Sequence, residues 1–279
     1  MFALKLLFGV ALAGGPDQLG AGQRVVYTGV GASTFEYGSS GDLRDRPLQS
    51  RVDLYAAAGL HPRLELSVYA APSHSRVIPM GRPPCAFEEG YCDSYTTVNK
   101  PWIEVRTPVV PGWAAAGLGT GWDPWNRDRR GQFNTLSQGT WVVSPALVVG
   151  HRHGALGWQT GVRWHAVMAP DVEGYGSPPD SLQAHLELPT SLGDWTVQPG
   201  AHLHWRVGGN PFGPDWAQAW YGTDDRWQML RTRQVQAELK VSYGLGESGI
   251  HVAARRAVWT DSGPKDLTDV SVGWHRWFP

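Results

Sequence analysis

Histidines two residues apart are the first feature of this chain with chemical reach. In an extended segment His202 and His204 present both imidazoles on one face. A two-residue turn at Gly193-Asp194 folds the preceding strand back so that His185 stands opposite His202, with Glu187 beside it. Neutral imidazoles with a carboxylate oxygen are a donor set for a transition metal. The same residues also make an ordinary hydrogen-bond network on the wet face of a sheet. That second reading is the expected one, and no cofactor is expected. His165, beside Arg163, falls on the same kind of face, whereas His151 and His153 flank a turn.

Other chemistry has less to stand on. The chain contains no G-x-S-x-G elbow, no H-E-x-x-H pair and no phosphate-cradling loop. Gly117-Leu118-Gly119-Thr120-Gly121 has no following helix and reads as small residues in a tight strand. Cys85 and Cys92 enclose six residues in a long polar segment, so in an oxidising compartment they are expected to form a local disulfide. No catalytic residue is expected.

The elements that position these residues are strands. After residue 23 the dominant pattern is period-2 alternation. Leu182, Ala184, Leu186 and Leu188 share one face, and Gln183, His185 and Glu187 share the other. Twelve strands are expected, at 24–37, 49–60, 63–71, 101–110, 113–122, 138–150, 155–167, 181–191, 196–207, 231–245, 248–259 and 268–278. Their connections alternate short and long. The short ones are His61-Pro62, Pro111-Gly112, Arg152-His153, Gly193-Asp194 and Gly246-Glu247. The long ones are 38–48, 72–100, 123–137, 168–180, 208–230 and 260–267. If the long loops share one side of a sheet, all short turns and both chain ends fall on the other. An up-and-down barrel that crosses a membrane has this parity.

Hairpin register gives the faces. About Gly193-Asp194, Leu186 meets Ala201, Ala184 meets Leu203 and Leu182 meets Trp205. About Gly246-Glu247, Tyr243 meets Ile250 and Glu238 meets Arg255, an opposite-charge cross-strand pair. About Arg152-His153, Val149 is expected to meet Leu156 and Trp141 to meet Trp164. The polar face, which would line a lumen, carries Arg51, Asp53, Arg63, Glu65, Glu104, Arg106, Arg163, His165, His185, Glu187, His202, His204, Arg206, Glu238, Lys240 and Arg255, with a basic lean. The apolar face would meet lipid. Tyr27, Phe35, Trp141, Trp164, Trp195, Trp205, Tyr243, Trp274 and Phe278 are placed as its interfacial girdles. Arg256 falls on the lipid face unless a bulge near Ala253-Ala254 turns it inward. Pro145 and Pro199 interrupt strands that have no edge in a closed barrel.

Composition bounds the alternatives. The 279 residues carry 35 Gly, 21 Pro and 15 Trp, with 24 basic against 25 acidic side chains. That charge balance excludes a basic footprint for nucleic acid. Charged residues make up 18%, and 15 Trp with 9 Tyr and 7 Phe are too many aromatics for a disordered chain. Met1 to Gly15 joins Lys5, an apolar run and Ala11-Leu12-Ala13 in the layout of a secretory signal peptide. Residues 1–13 are therefore expected to be removed, leaving 14–279 as a single domain. Beyond them no apolar run is long enough for a membrane-spanning helix.

Taken together, the chain resembles the bacterial outer-membrane β-barrel proteins. Its last strand, Asp269-Val270-Ser271-Val272-Gly273-Trp274-His275-Arg276-Trp277-Phe278-Pro279, resembles their C-terminal assembly signal at Ser271, Gly273 and Phe278. It departs from that signal at Arg276, where an aromatic is usual, and at Pro279. The resemblance implies an outer-membrane location, contact with the lipid bilayer and delivery through the outer-membrane assembly machinery. Lipid-hydrolysing members of that class use a Ser and a His in a short shared motif. Ser73-His74-Ser75-Arg76 is the nearest string and lacks the rest of it. The expected function is a narrow channel for small polar or anionic solutes. Loop 208–230, with Phe212, Trp216, Trp220, Tyr221 and Trp227, is the candidate ligand-contacting segment. Two alternatives are a closed structural or lipid-modifying barrel and a secreted β-sandwich binding module.

Overall fold

Alternation of apolar and polar residues, carried through strand after strand, leaves a sheet with two different faces, and the chain resolves this by closing the sheet on itself. The computed structural model describes residues 19–36, 46–78, 95–122, 141–168, 180–207, 233–262 and 265–279. They form β1 (Arg24–Glu36), β2 (Arg46–His61), β3 (Leu64–Ile78), β4 (Tyr95–Val110), β5 (Ala114–Trp122), β6 (Trp141–His153) and β7 (Leu156–Met168). The order continues with β8 (Asp180–Glu187), β9 (Thr190–Leu192), β10 (Trp195–Val207), β11 (Arg233–Leu245), β12 (Ser248–Ser262) and β13 (Lys265–Phe278). Every pairing is antiparallel, and apart from the closing β1–β13 pair and the contacts of the split β8–β9 stave each joins chain neighbours. β1 joins β13 from Arg24↔Phe278 to Glu36↔Lys265, which closes the ring. β8 and β9 lie end to end between β7 and β10, so twelve staves surround the interior. A closed sheet is not a sandwich, and that alternative falls.

The expected strand 181–191 is thus broken. Pro189 has no N–H to give the ladder, and Pro199 of β10 has none to return. What remains at the break is Leu188 N donating to Pro199 O at 2.9 Å and Gly157 N donating to Pro189 O at 2.8 Å. Pro145 opens a similar gap, since the β6–β7 register passes from Val143↔Ala166 to Ala146↔Arg163. A side-chain bond between Ser144 Oγ and His165 Nδ1, 2.6 Å, spans it.

Several connections differ from expectation, the β2–β3 turn at Pro62-Arg63 among them. The β6–β7 turn is Gly154-Ala155, where Gly154 takes φ +59°, and Arg152-His153 belongs to the strand. Val149 therefore meets Thr160, and Trp141 meets Met168. The displacement from Leu156 to Thr160 is an even number of residues, so both faces survive it. The segment 260–267 is almost entirely strand, with β12 reaching Ser262 and β13 starting at Lys265. Strands β3 and β4 likewise extend to Ile78 and from Tyr95, well into the expected loop 72–100.

The faces are inverted relative to a water-soluble protein. Outward lie Val30 at 59% exposure, Ile103 at 52%, Leu239 at 50% and Val252 at 50%. Inward lie Asp53, Glu65, Glu104, Arg106 and Glu187, none above 6% exposed. An apolar surface of this extent is a lipid-facing band. Trp195 rests beside Tyr243 near the short turns, with ring centroids 4.8 Å apart. Toward the other end Trp205 stacks on Trp259 at 6.4 Å, with Arg233 over the Trp205 ring. Tyr27 is a correction: it faces inward, its hydroxyl 3.4 Å from His251 Nε2. Arg256 pairs with Ala237 and Thr268 and stays exposed on the outer face, because the register irregularity in β11–β12 falls beyond it, between Val235 and Gln236. Residues 1–13, Cys85, Cys92 and the loop aromatics Phe212, Trp216, Trp220, Tyr221 and Trp227 lie outside the described residues.

Candidate functional site in the barrel interior

Every second residue of each stave projects into the ring, and the inward set arranges itself in three charged groups. The first lies between β13, β1, β2 and β3. Arg51 Nε is 3.1 Å from Asp53 Oδ2, and its Nη2 donates to Asp269 Oδ1 at 2.9 Å. Tyr69 Oη donates to Asp53 Oδ1 at 2.7 Å. Asp269 was not among the residues singled out in the sequence. Its parity with Ser271 and Gly273 was the available signal.

The second group joins β3, β4 and β7. Glu104 sits at its centre, with Arg163 Nη2 at 2.7 Å, Trp102 Nε1 donating at 3.1 Å and Arg106 Nε at 3.7 Å. Arg106 also stands 3.7 Å from Glu65, and the Arg163 guanidinium lies 5.3 Å from the centre of the Trp102 ring. His165 meets the same indole edge-on at 5.8 Å.

The third group gathers the histidines. The register places His185 opposite His202 and Gln183 opposite His204. Their rings behave differently. His185 stacks toward His202 with centroids 6.2 Å apart, while His204 turns to Gln183 at 3.4 Å. His202 Nε2 lies 2.5 Å from Glu238 Oε2, and Arg255 donates to the other oxygen of Glu238 at 3.1 Å. Glu187 accepts from Gln159 and Gln198, both at 2.5 Å. Glu187, His202 and Glu238 each bring one donor atom within 4.8 Å of the others. Among the described residues that is the convergent set, and it shares His202 with the three-histidine set suggested by spacing. Its carboxylates are already held by two amides and by Arg255, with buried Lys240 nearby on β11. Arg255 and Lys240 thus bring positive charge beside both carboxylates.

Two other sequence candidates lie elsewhere. Arg63 occupies the Pro62-Arg63 turn and is exposed, off the interior face. Its parity matched the polar face, but β3 begins only after it. The side chain of Arg206 lies outside those described, as do those of Ser73, His74, Ser75 and Arg76 in β3. Among the described side chains there is no basic lean. Inside, Arg51, Arg106, Arg163, Lys240 and Arg255 face Asp53, Glu65, Glu104, Glu187, Glu238 and Asp269.

Glycine decides how far these side chains project. A Cβ on Gly29 would meet the Tyr27 hydroxyl at 2.2 Å, and one on Gly273 would meet the Tyr27 ring at 2.4 Å. One on Gly119 or Gly121 would meet opposite ends of the Trp102 indole at 2.3 and 2.6 Å. His185 lies over Gly161 and His275 over Gly249 in the same way, at 2.4 and 2.5 Å. Each ring occupies the space that a neighbour's Cβ would need. These rings are therefore drawn against the wall and away from the barrel axis.

No protein-family model matches the chain, and no curated protein matches it in sequence. In fold it is similar to the COG4313 outer membrane channel from Pseudomonas putida F1, at TM-score 0.68 and 15% identity, over 96% of this chain and 100% of that one. It is also similar to the translocator domain of autotransporter NalP from Neisseria meningitidis, at TM-score 0.51 and 11% identity, over 93% and 90%. The NanC porin aligns at TM-score 0.50 and 8% identity, over 90% and 98%. These likenesses establish the fold of an outer-membrane β-barrel.

Proposed function

We propose that this outer-membrane β-barrel is a narrow channel for small polar solutes, with weak preference between anions and cations. The observation that carries the reading is the seating of Tyr27, Trp102, His185 and His275 over glycines of the wall. A Cβ at those positions would force each ring off the wall and toward the axis. Glycine there instead keeps large side chains off the axis. The fold likeness to a protein named as an outer membrane channel supports the same reading. Near-equal numbers of cations and carboxylates among the described inward side chains argue for weak charge selectivity, and the anion preference expected from sequence is not carried forward.

The segment 208–230 with its five aromatics remains the proposed solute-contacting loop, and residues 1–13 the proposed export signal. The C-terminal β13, ending at Phe278, is the proposed assembly signal. Planar-bilayer recording on the purified, heat-modifiable protein tests the channel. Discrete conductance steps with a reversal potential near zero in a salt gradient are the expected result. A folded protein that gives no steps refutes the channel.

A second reading has its own observation. Glu65, Arg106, Gln159, Glu187 and Lys240 are each at most 7% exposed, so this part of the interior is packed upon itself. In the channel reading that packing is what makes the bore narrow.

A further inference from the structure

We infer that Tyr27, Tyr55, Tyr69 and Trp102 form a stacking track for uncharged saccharides along one side of the bore. This rests on the channel reading above and names its substrate class. The four residues stand in one line across β1–β4, because the register pairs Tyr27 with Tyr55, Tyr55 with Tyr69 and Tyr69 with Trp102. Directly paired residues share a face, and here that face is the inner one. On the other side of Tyr27, His275 of β13 continues the line. The strands of a closed barrel tilt, so a line drawn straight across them climbs the wall. Tyr27 stands near the start of β1, at the short-turn mouth, and Trp102 stands at the middle of β4. The rings therefore run from one mouth toward mid-height.

The rings are also the accessible part of this wall. Tyr27, Tyr55, Tyr69 and Trp102 are only partly buried, whereas Asp53, Glu65, Ser67, Glu104 and Arg106 on the same staves are at most 6% exposed. Tyr27 lies over Gly29 and Gly273, with one face of its ring against the wall and the other toward the bore. His251 widens that surface, its ring 5.2 Å from that of Tyr27 and tilted by 13°. Tyr55, which packs against Leu19, Val25 and Ala57, joins Tyr27 to Tyr69. At Trp102 the guanidinium of Arg163, 5.3 Å from the ring centre, ends the open surface. The Tyr69 hydroxyl is committed to Asp53, and the Tyr27 hydroxyl lies at His251. What these tyrosines offer a solute is the electron-rich ring face, which attracts polarised C–H groups. A pyranose ring has such C–H groups on its face and hydroxyls around its edge. Arg51 and Asp269, with 20% and 18% of their side chains exposed, border the row and supply a donor and an acceptor for those hydroxyls. An aromatic hydrocarbon would match the rings and leave that border desolvated without a partner. Because the described inward cations and carboxylates nearly balance, the match is to an uncharged solute.

The test uses the purified, heat-modifiable protein with maltose as the probe. Saturation-transfer NMR reads contact between protein and sugar, and planar-bilayer recording reads block of the ion current. Transfer to the C–H protons of maltose and a concentration-dependent block are expected in the parent. Tyr69→Leu is expected to weaken the affinity by about threefold to tenfold, the worth of one ring contact. Tyr69→Phe keeps the ring without its bond to Asp53 and is expected to bind like the parent. Tyr27→Leu takes the place of Tyr69→Leu should that variant fail to give a heat-modifiable barrel. Conductance steps with no transfer to maltose overturn the track and leave the channel standing. Unchanged affinity in the leucine variant, or equal block by an ethylene glycol oligomer of similar mass, also overturns the track. Transfer without steps overturns the channel reading and leaves a saccharide site on the inner wall.

Discussion

Replacing Glu104 with alanine asks whether the interior is a packed ionic framework or a wet pore wall. Glu104 is 5% exposed and holds Arg163 at 2.7 Å, the Trp102 indole N–H at 3.1 Å and Arg106 at 3.7 Å. Arg106 keeps a second carboxylate, Glu65, at 3.7 Å. Arg163, with 12% of its side chain exposed, loses its 2.7 Å partner. Breaking one side of a buried pair costs about 3–5 kcal/mol, most of it the penalty of the charge left behind. Glu104→Gln keeps an acceptor for the indole and is expected to cost less, about 2 kcal/mol. The assay is urea unfolding in phospholipid vesicles, followed by tryptophan fluorescence and by the gel mobility shift. A double-mutant cycle with Arg163→Ala is expected to return a coupling of about 1–3 kcal/mol. Exposed pairs contribute about 0–1 kcal/mol. A Glu104→Ala cost within that range, with coupling near zero, would mean that water already solvates both groups, and the framework argument would be wrong.

Three further outcomes are expected. Leu239→Arg, at the centre of β11 on the outer face, is expected to destabilise the barrel by about 2–4 kcal/mol in vesicles, while Leu245→Arg beside the short turn costs about 0–1 kcal/mol; equal costs would remove the lipid assignment of that face. Gly119→Val places a side chain where the Trp102 indole lies, a Cβ-to-ring distance of 2.3 Å, and is expected to push the ring toward the axis and reduce the conductance step. A Gly119→Val barrel that folds and conducts like the parent would count against the seating argument. Cys85 and Cys92 are expected to resist alkylation in the oxidised protein and to react after reduction; free thiols before reduction would exclude the disulfide.

Period-2 alternation was enough to read the staves, because each residue must choose between lipid and lumen. It read the Gly193-Asp194 and Gly246-Glu247 hairpins pair by pair: His185↔His202 and Glu238↔Arg255 stand in the expected register. At Arg152-His153 the turn was placed too early, yet the faces held, since alternation constrains parity and leaves even displacements free. Tyr27 failed for a different reason. Val25, Val26 and Tyr27 are apolar on consecutive positions, so local alternation vanishes where β1 begins, and an aromatic near a strand end looks like a girdle residue. The three-dimensional signal is in Gly29 and Gly273, small residues on neighbouring staves that leave room for its ring. Leu19 had no sequence signal at all. Its burial depends on contacts with β2, β3 and β13, which no local pattern encodes.

The abundance of glycine acquires a specific meaning from these contacts. Strand number and stagger fix the diameter of a closed barrel, so the sequence has one remaining means of widening or narrowing the interior, which is the height of the inward side chains. Here that height is lowered in pairs. A ring on one stave and a glycine on the next form a unit, as with Trp102 over Gly119 and Gly121, or His275 over Gly249. The same device appears at Gly59, but what it receives there is the backbone of the chain's own N-terminal segment. Substitutions at the ring seats should therefore lower conductance, because each added side chain pushes a ring toward the axis.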